Sequence, residues 1–192
     1  MRKRVVIADD EPITRINVAE ILEDAGYEVV GQAVDGFDAV EFCRKFRPDL
    51  VILDVKMPLL DGLMSAKIIN DEGLASGIML LTAYSSKEFI DKAKEHGVLN
   101  YLVKPVTEKA ILPAVAISIH RAEELSRIRL DMHKANERLE ARTLIDRAKS
   151  KLMQRDSMTE DDAYKYIRNL SMDKRCSMKE ISKVILMGDS VV

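Results

Sequence analysis

The first 120 residues alternate five short, mostly apolar runs with segments of helical periodicity, and this alternation constrains the fold more than any other feature of the chain. The apolar runs are predicted strands at residues 4–8, 27–33, 50–53, 77–82 and 98–103. Runs of this kind are typical of strands that are buried on both faces of a parallel sheet. The helical segments between them supply the crossovers. The sequence therefore predicts an α/β fold with a doubly wound, five-stranded parallel sheet.

Polar residues stand where these predicted strands end. They are Asp9 and Asp10 after the first strand, Asp54 after the third, Thr82 in the fourth and Lys104 after the fifth. Because the carboxyl ends of parallel strands meet at one rim, these side chains are expected to lie together. Three carboxylates repel one another unless a hard cation such as Mg²⁺ binds among them. With a lysine and a threonine, they supply what aspartyl phosphorylation needs, and they leave Asp54 as nucleophile, metal ligand or both.

The polar set and its neighbours resemble a known domain. Residues 3 to about 120 are similar to the receiver domain of bacterial two-component response regulators, on the following residues in this order and spacing: Asp9-Asp10, Asp54, Met57-Pro58, Asp61-Gly62, Thr82-Ala83, Tyr101 and Lys104-Pro105. The resemblance implies a flavodoxin-like sheet. It also implies that the protein accepts a phosphoryl group on Asp54 from a sensor histidine kinase and is not itself an enzyme.

The resemblance implies a metal site at the same place. Mg²⁺ would be held by Asp10, Asp54 and the backbone carbonyl of Lys56, with Asp9 helping through a water molecule. Asp54 would then be nucleophile and metal ligand at once. Taken alone, Asp9 and Asp10 could instead cap the first helix.

The resemblance further implies a switch. The Thr82 hydroxyl would move toward the phosphoryl group and the Tyr101 ring would follow it inward, while Lys104 would be the fixed cation. Tyr101 could instead be simple core packing. Tyr84, two residues after Thr82, could be a surface aromatic or a gate.

Helical periodicity continues past His120. Apolar residues there recur at alternating steps of three and four, which forms a heptad seam of Leu125, Ile128, Met132, Ala135 and Leu139. With charges of both signs on its flanks, the seam predicts a parallel dimeric coiled coil over residues 121–141. It spans only about two heptads, so a single exposed or folded-back linker helix is the alternative. Pro113 indicates a first-turn or kinked start of the preceding helix.

Residues 142–192 contain three helical segments that can bury one small core, with Thr159 and Ser177 as expected N-caps. They resemble the ANTAR domain, an RNA-binding module of transcription antitermination regulators, at Arg142, Ile145, Ala148-Lys149, Leu152-Met153, Thr159-Glu160, Ala163-Tyr164, Ile167-Arg168, Met172 and Ile181. Ser157 and Ser171 depart from the glycine and alanine that the family often has there.

The ANTAR resemblance implies RNA contacts at Arg142, Lys149, Tyr164 and Arg168. Cations can bind phosphates or guanine edges, and an aromatic ring can stack on a splayed base. Tyr164 as a core residue is the alternative. Three segments are thus expected: a receiver at 1–120, a helical connector at 121–141 and an ANTAR-like domain at 142–192.

Charge and composition agree with a soluble, cytoplasmic protein. Residues 1–120 carry 14 Lys and Arg against 19 Asp and Glu, whereas residues 142–192 carry 11 against 8, and a mildly basic tail suits contact with nucleic acid. No apolar run is long enough for a membrane span. The apolar run after the basic first residues is too short for a secretory signal. The two cysteines, Cys43 and Cys176, have no metal-ligand spacing, which favours a reducing compartment.

Together these features predict a phosphorylation-activated response regulator that dimerises, binds RNA hairpins in mRNA leaders and prevents transcription termination. A similarity to regulators of ethanolamine-utilisation operons runs along the whole chain. The main rival is a DNA-binding response regulator with a helix-turn-helix tail, although the third helix of the tail has few side chains suited to base edges. A haloacid-dehalogenase-like phosphatase would need a second aspartate where Lys56 stands, and a protein-binding adaptor is the third rival.

Overall fold

The computed structural model describes residues 2–83 and 87–188, with the side chains of 87–90 left outside that description. The elements in chain order are β1 (Arg4–Ala8), α1 (Pro12–Asp24), β2 (Glu28–Ala33), α2 (Gly36–Phe46), β3 (Leu50–Asp54), α3 (Gly62–Asp71), β4 (Gly77–Thr82), α4 (Lys87–Glu95), β5 (Asn100–Val103), α5 (Glu108–Asp156), α6 (Glu160–Lys174) and α7 (Met178–Met187). The chain divides into two compact units, residues 1–127 and 128–192. Tyr84 lies outside the described residues.

The first unit is a five-stranded parallel sheet in the order β2-β1-β3-β4-β5. The predicted α/β fold with a flavodoxin-like, doubly wound sheet is therefore confirmed. Helices α2 and α3 cover one face of the sheet, and α1 and the first part of α5 cover the other. Because β3 lies in the middle of the sheet, all five of its residues are buried, which explains its continuous apolar sequence.

Aspartate caps fix the helices that begin beside the carboxyl ends of the strands. The Asp35 side chain accepts a hydrogen bond from Asp38 N at the start of α2, and Asp61 accepts one from Met64 N at the start of α3. Helix α1 begins with Pro12, a residue that needs no backbone hydrogen bond in the first turn. The loops after β1 and β3 therefore end at defined points on the rim.

The loop between β3 and α3 folds back onto the end of β3. Gly62 N donates a hydrogen bond of 3.0 Å to the carbonyl of Val55. A Cβ atom at residue 62 would collide with the carbonyl oxygen of Asp54, so this position requires glycine. Leu59, within the loop, has a φ of 64° and is 83% exposed.

Helix α5 runs without a break from Glu108 to Asp156. The expected continuation of helical periodicity beyond residue 120 is therefore observed. Pro113 lies in the second turn of this helix and not in its first. The side of α5 that covers the sheet presents Ile111, Val115, Ile119 and Ala122, all of which are buried.

The second unit consists of the C-terminal part of α5 together with α6 and α7, around a core of Ala148, Leu152, Ala163, Ile167 and Ile181. The predicted three-helix unit and its N-caps are present, because Thr159 accepts a hydrogen bond from Asp162 N and Ser177 forms a full capping box with Glu180.

Two polar contacts set the direction of α7 against α5. Lys179 pairs with Glu140 at 3.1 Å near the start of α7, and Lys151 donates to the carbonyl of Leu186 at 3.0 Å near its end. Helix α7 therefore runs alongside α5 in the same direction. Within the described ranges, no helix combines the length and apolar character that crossing a membrane requires.

Candidate functional site

Three carboxylates meet at the carboxyl ends of β1 and β3. Asp9 and Asp10 follow β1, Asp54 is the last residue of β3, and one oxygen from each lies within 4.8 Å of the others. Asp9 and Asp54 are buried, whereas Asp10 is exposed. Asp9 is further fixed because one of its oxygens, Oδ1, accepts a hydrogen bond of 3.0 Å from Glu11 N. The structure thus brings together the acidic set that the sequence singled out.

Lys104 reaches this set from the loop after β5. Its ammonium nitrogen lies 2.9 Å from Asp9 Oδ2 and 3.1 Å from Asp54 Oδ1. Its backbone N–H donates a hydrogen bond of 2.8 Å to the carbonyl of Thr82, which holds the residue beside β4. Burial by itself lowers the pKa of Lys104, but the contacts with Asp9 and Asp54 outweigh burial and raise the pKa above its ordinary value.

The Asp54 carboxyl has a raised pKa. Burial is the main cause, and the neighbouring charge of Asp9 adds to it, while the ion pair with Lys104 acts in the opposite direction. Keeping Asp54 ionised in the folded protein therefore costs free energy. A cation bound beside it would relieve that cost.

An open pocket of about 290 Å³ gives access to the site, and it is lined by Asp10, Glu11, Asp54, Val55, Lys56, Ala83 and Lys104. The possible metal ligands in this pocket are carboxylate oxygens, which Mg²⁺ prefers. Among the described residues, Asp9 Oδ2 is buried and accepts no hydrogen bond of good geometry, despite the nearby ammonium of Lys104. The all-oxygen set of possible ligands, in which Asp9 Oδ2 has the charge of Lys104 beside it but no well-aligned hydrogen bond, fits a bound Mg²⁺.

The two expected switch residues occupy different environments. The Thr82 side chain is fully buried at the end of β4. Tyr101 lies in β5 opposite Leu80, which is two residues before Thr82 in β4, and the Tyr101 side chain is 36% exposed. Tyr101 is therefore not an ordinary core residue in this structure. Residues in register share a face of the sheet, so Tyr101 is on the same face as Thr82.

Glu11 is a site residue that the sequence did not single out. It lines the pocket, and its carboxylate accepts a hydrogen bond of 2.9 Å from the Thr14 hydroxyl. Its position directly after Asp9 and Asp10 was the available signal.

The four residues expected to contact RNA differ in their surroundings. Arg142, Tyr164 and Arg168 are exposed, and Tyr164 and Arg168 lie one turn apart on α6, so they share a side of that helix. The Tyr164 side chain is 44% exposed, which excludes a plain core role. Lys149 is only 15% exposed and pairs with Asp146 at 2.8 Å and with Glu160 at 2.7 Å.

Lys149 thus joins α5 to the beginning of α6. Its hydrogen bond with Asp146 is the main reason that its pKa is raised and that the pKa of Asp146 is lowered. An RNA phosphate could use this ammonium only in competition with two carboxylates. Its RNA role stays a prediction, and its observed contacts are structural.

Comparison with known families identifies both units. Residues 5–116 match the response regulator receiver domain, and residues 133–186 match the ANTAR domain, whose match begins within the segment expected to be the connector. The chain therefore belongs to the response regulators, with an ANTAR domain as its output unit. This is the domain type of RNA-binding antitermination regulators.

One relative is similar along most of the chain. The transcriptional regulatory protein PdtaR of Mycobacterium tuberculosis is 41% identical over 184 residues, which cover 96% of this chain and 89% of that protein. Among solved structures, the chemotaxis protein CheY4 of Vibrio cholerae has a TM-score of 0.59 at 32% identity and covers 62% of this chain and 99% of its own. The receiver domain of a response regulator named NarL, from Mycobacterium tuberculosis, has a TM-score of 0.59 at 30% identity, with coverages of 62% and 97%.

Proposed function

We propose that this response regulator accepts a phosphoryl group on Asp54 and in that state binds RNA hairpins in nascent transcripts, preventing transcription termination. The observation that carries the proposal is the presence of a receiver-type acidic site and an ANTAR unit on one chain. The finer expectation of an ethanolamine-utilisation regulator stays a prediction.

The chemistry at Asp54 follows from its neighbours. A carboxylate oxygen of Asp54 attacks the phosphorus atom of a phosphohistidine on a sensor kinase, and the bond from phosphorus to the histidine nitrogen breaks. Lys104 already contacts Asp54 Oδ1, so its ammonium is positioned to bind an oxygen of the incoming phosphoryl group. The Thr82 hydroxyl supplies a neutral hydrogen bond to another oxygen.

Asp10 and Asp54, with the backbone carbonyl of Lys56 and with Asp9 through water, would hold Mg²⁺. The ion supplies positive charge that offsets the negative charge on the transferring group. In this proposal the receiver acts as a phosphoacceptor for a kinase and not as an enzyme.

Phosphorylation would act on the output through dimerisation. The heptad seam of Leu125, Ile128, Met132, Ala135 and Leu139 lies on exposed positions of α5, and Met132 and Leu139 are 62% and 65% exposed. A second copy of the helix would bury this seam in a coiled coil. A homodimer would then present two ANTAR units to a pair of hairpins in one RNA. Binding of the first hairpin raises the effective concentration of the second hairpin at the other ANTAR unit.

RNA is favoured over duplex DNA by the exposed residues of α6. Tyr164 offers a ring on which an unpaired base can stack, and Arg168 offers a guanidinium for phosphate or guanine. Reading the major groove would require an exposed helix with several polar side chains. The exposed side of α7 instead carries Val184 and Met187, at 66% and 67% exposure.

A direct binding experiment tests the proposal. The full chain, phosphorylated with acetyl phosphate in Mg²⁺, is titrated against a two-hairpin RNA that the same chain has selected from a pool with randomised loops, and against duplex DNA of the same sequence at matched salt. We expect tighter binding to the RNA, and tighter binding by the phosphorylated form. Preference for the duplex would establish the DNA-binding alternative, and failure to select any RNA would overturn the proposal.

A further inference from the structure

A groove of about 440 Å³ lies on the second unit beside α5 and the C-terminal end of α7, and it is lined by Thr143, Asp146, Arg147, Ser150, Lys151, Gln154 and Leu186. Four of the lining residues, Thr143, Arg147, Ser150 and Gln154, form a row on α5 at helical spacing. All four are exposed. This α5–α7 groove is separate from the side chains of Tyr164 and Arg168, which lie on α6.

The hydroxyl groups of the groove are oriented by the helix itself. Thr143 Oγ1 donates a hydrogen bond of 3.0 Å to the carbonyl of Leu139, and Ser150 Oγ donates one of 3.0 Å to the carbonyl of Asp146. Each hydroxyl proton is therefore used within α5. The lone pairs that remain on each oxygen can accept a hydrogen bond from a ligand, so these two residues act as acceptors.

One cation of the groove remains available. In the described part of the chain, Arg147 forms no ion pair. The neighbouring carboxylate of Asp146 is held by Lys149 at 2.8 Å, so it does not compete strongly for Arg147. Lys151, which also lines the groove, donates a hydrogen bond to the carbonyl of Leu186.

Over about 16 Å of helix, at 1.5 Å per residue, the groove thus presents four groups in order: the Thr143 acceptor, the Arg147 cation, the Ser150 acceptor and the Gln154 amide. A polymer that offers hydroxyl donors next to phosphates complements this order. RNA has both, because each ribose carries a 2′-hydroxyl beside its phosphate. DNA has the phosphates alone.

We propose that the α5–α7 groove distinguishes RNA from DNA: Thr143 and Ser150 accept hydrogen bonds from ribose 2′-hydroxyls, and Arg147 binds an adjacent phosphate. The inference rests on the proposed function, since it locates a second contact of the same RNA. It assigns base stacking and sugar recognition to different helices, with Tyr164 on α6 and the sugar acceptors on α5.

The first test uses the unaltered protein and a modified probe. The two-hairpin RNA selected by the phosphorylated chain is compared with the same sequence carrying 2′-fluoro groups, which remove the hydroxyl donor and keep an RNA-like sugar pucker. We expect the fluoro probe to bind about tenfold more weakly, as the loss of two neutral hydrogen bonds allows. Equal affinity for both probes would overturn the inference.

The second test uses variants of the groove. In Thr143→Val/Ser150→Ala, which keeps size and exposure nearly unchanged, affinity for the RNA should fall about tenfold and the preference over the fluoro probe should disappear. Arg147→Gln should lower the slope of log affinity against log salt by about 0.7, the value for one phosphate on a single strand. Lys67→Gln, the same loss of charge at an exposed position of α3, is the control and should leave both quantities unchanged.

The outcomes separate the two proposals. If the chain binds RNA but the double variant keeps its affinity and its preference for ribose, the groove is not the sugar-reading surface and the proposed function stands. If no RNA is selected at all, the proposed function fails, and the inference fails with it. Circular dichroism of each variant checks that the helices are intact.

Discussion

The ammonium nitrogen of Lys104 lies 3.1 Å from Oδ1 of Asp54, the carboxylate that we propose as the phosphoacceptor. The two residues come from the ends of β5 and β3, which are not adjacent strands, since β4 lies between them. The ion pair therefore crosses the rim and positions Asp54 before any phosphoryl group arrives. The pair is largely shielded from water, and Lys104 keeps a second partner, Asp9 Oδ2 at 2.9 Å, when Asp54 is replaced.

Replacing Asp54 should abolish phosphorylation. Asp54→Asn keeps the shape of the side chain but removes the nucleophilic oxygen, so incubation with acetyl phosphate and Mg²⁺ should add no phosphoryl group by intact-mass spectrometry. Asp71→Asn, an exposed aspartate at the end of α3, is the matched control and should be labelled like the unaltered chain. Continued labelling of Asp54→Asn would mean that another residue is the nucleophile.

The same variant should be more stable than the unaltered protein at neutral pH. Burial raises the pKa of Asp54 above its ordinary value of 3.8, so the folded state binds this proton more tightly than the unfolded chain does. Stability contributed by this group therefore falls as the pH rises through the window between the ordinary and the raised pKa. We expect Asp54→Asn to raise the free energy of unfolding at pH 7 by on the order of 1 kcal/mol.

That gain should shrink as the pH is lowered through the same window, because the unaltered carboxyl is then protonated in both states. Urea denaturation in Mg²⁺-free buffer at several pH values measures it. A gain that stays constant with pH would show that ionisation of Asp54 is not its cause.

Magnesium should stabilise the first unit through the acidic cluster. Mg²⁺ at about 100 times its dissociation constant should raise the free energy of unfolding by about 2.7 kcal/mol, provided that the unfolded chain does not bind it. Asp10→Asn should remove most of this gain, and Asp71→Asn should retain it. Thermal unfolding at constant ionic strength measures the effect, and an equal gain in both variants would place the ion elsewhere.

Leu59 offers a test of backbone strain beside the site. Its φ of 64° falls in the left-handed region, which a side chain with a Cβ adopts at a cost, and its side chain is 83% exposed. Leu59→Gly should therefore raise the free energy of unfolding by about 0.5–1 kcal/mol. Leu59→Ala keeps the Cβ and should change little. Equal effects of the two substitutions in urea denaturation would argue against strain at this residue.

The coiled-coil hypothesis predicts a difference between two exposed apolar residues of α5. Met132 belongs to the heptad seam and is 62% exposed, whereas Leu130 lies off the seam and is 52% exposed. Met132→Glu should weaken dimerisation of the phosphorylated chain by about tenfold or more, because two charges would meet at the helix interface. Leu130→Glu should not. Sedimentation equilibrium measures both, and a monomeric phosphorylated parent chain would refute the hypothesis.

Much of the first unit could be predicted from the sequence because burial leaves a direct trace in residue type. The central strand β3 is apolar throughout since both of its faces are covered, and parallel topology then requires Asp9, Asp54 and Lys104 to meet at one rim. The acidic site followed from the topology.

Other features depend on contacts or backbone angles that residue type does not specify. The pairing of Lys149 with Glu160 joins residues eleven positions apart across a turn. The sequence of a helix does not specify which carboxylate a lysine in it will contact. Leu59 adopts a left-handed backbone conformation that a leucine disfavours, so the residue type predicts a different φ at this position. Pro113 lies in the second turn of a continuous helix, where the neighbouring packing of Ile111 and Val115 overrides the local cost.

The close approach of Gly62 to the carbonyl of Asp54 limits how this part of the molecule can change. The backbone of the proposed phosphoacceptor and the start of α3 share a space into which no side chain fits. Neighbouring loop positions such as Leu59 point into solvent, so substitutions there leave that contact intact. The loop can therefore acquire a new outward-facing surface for a different partner without moving the atoms on which the chemistry depends.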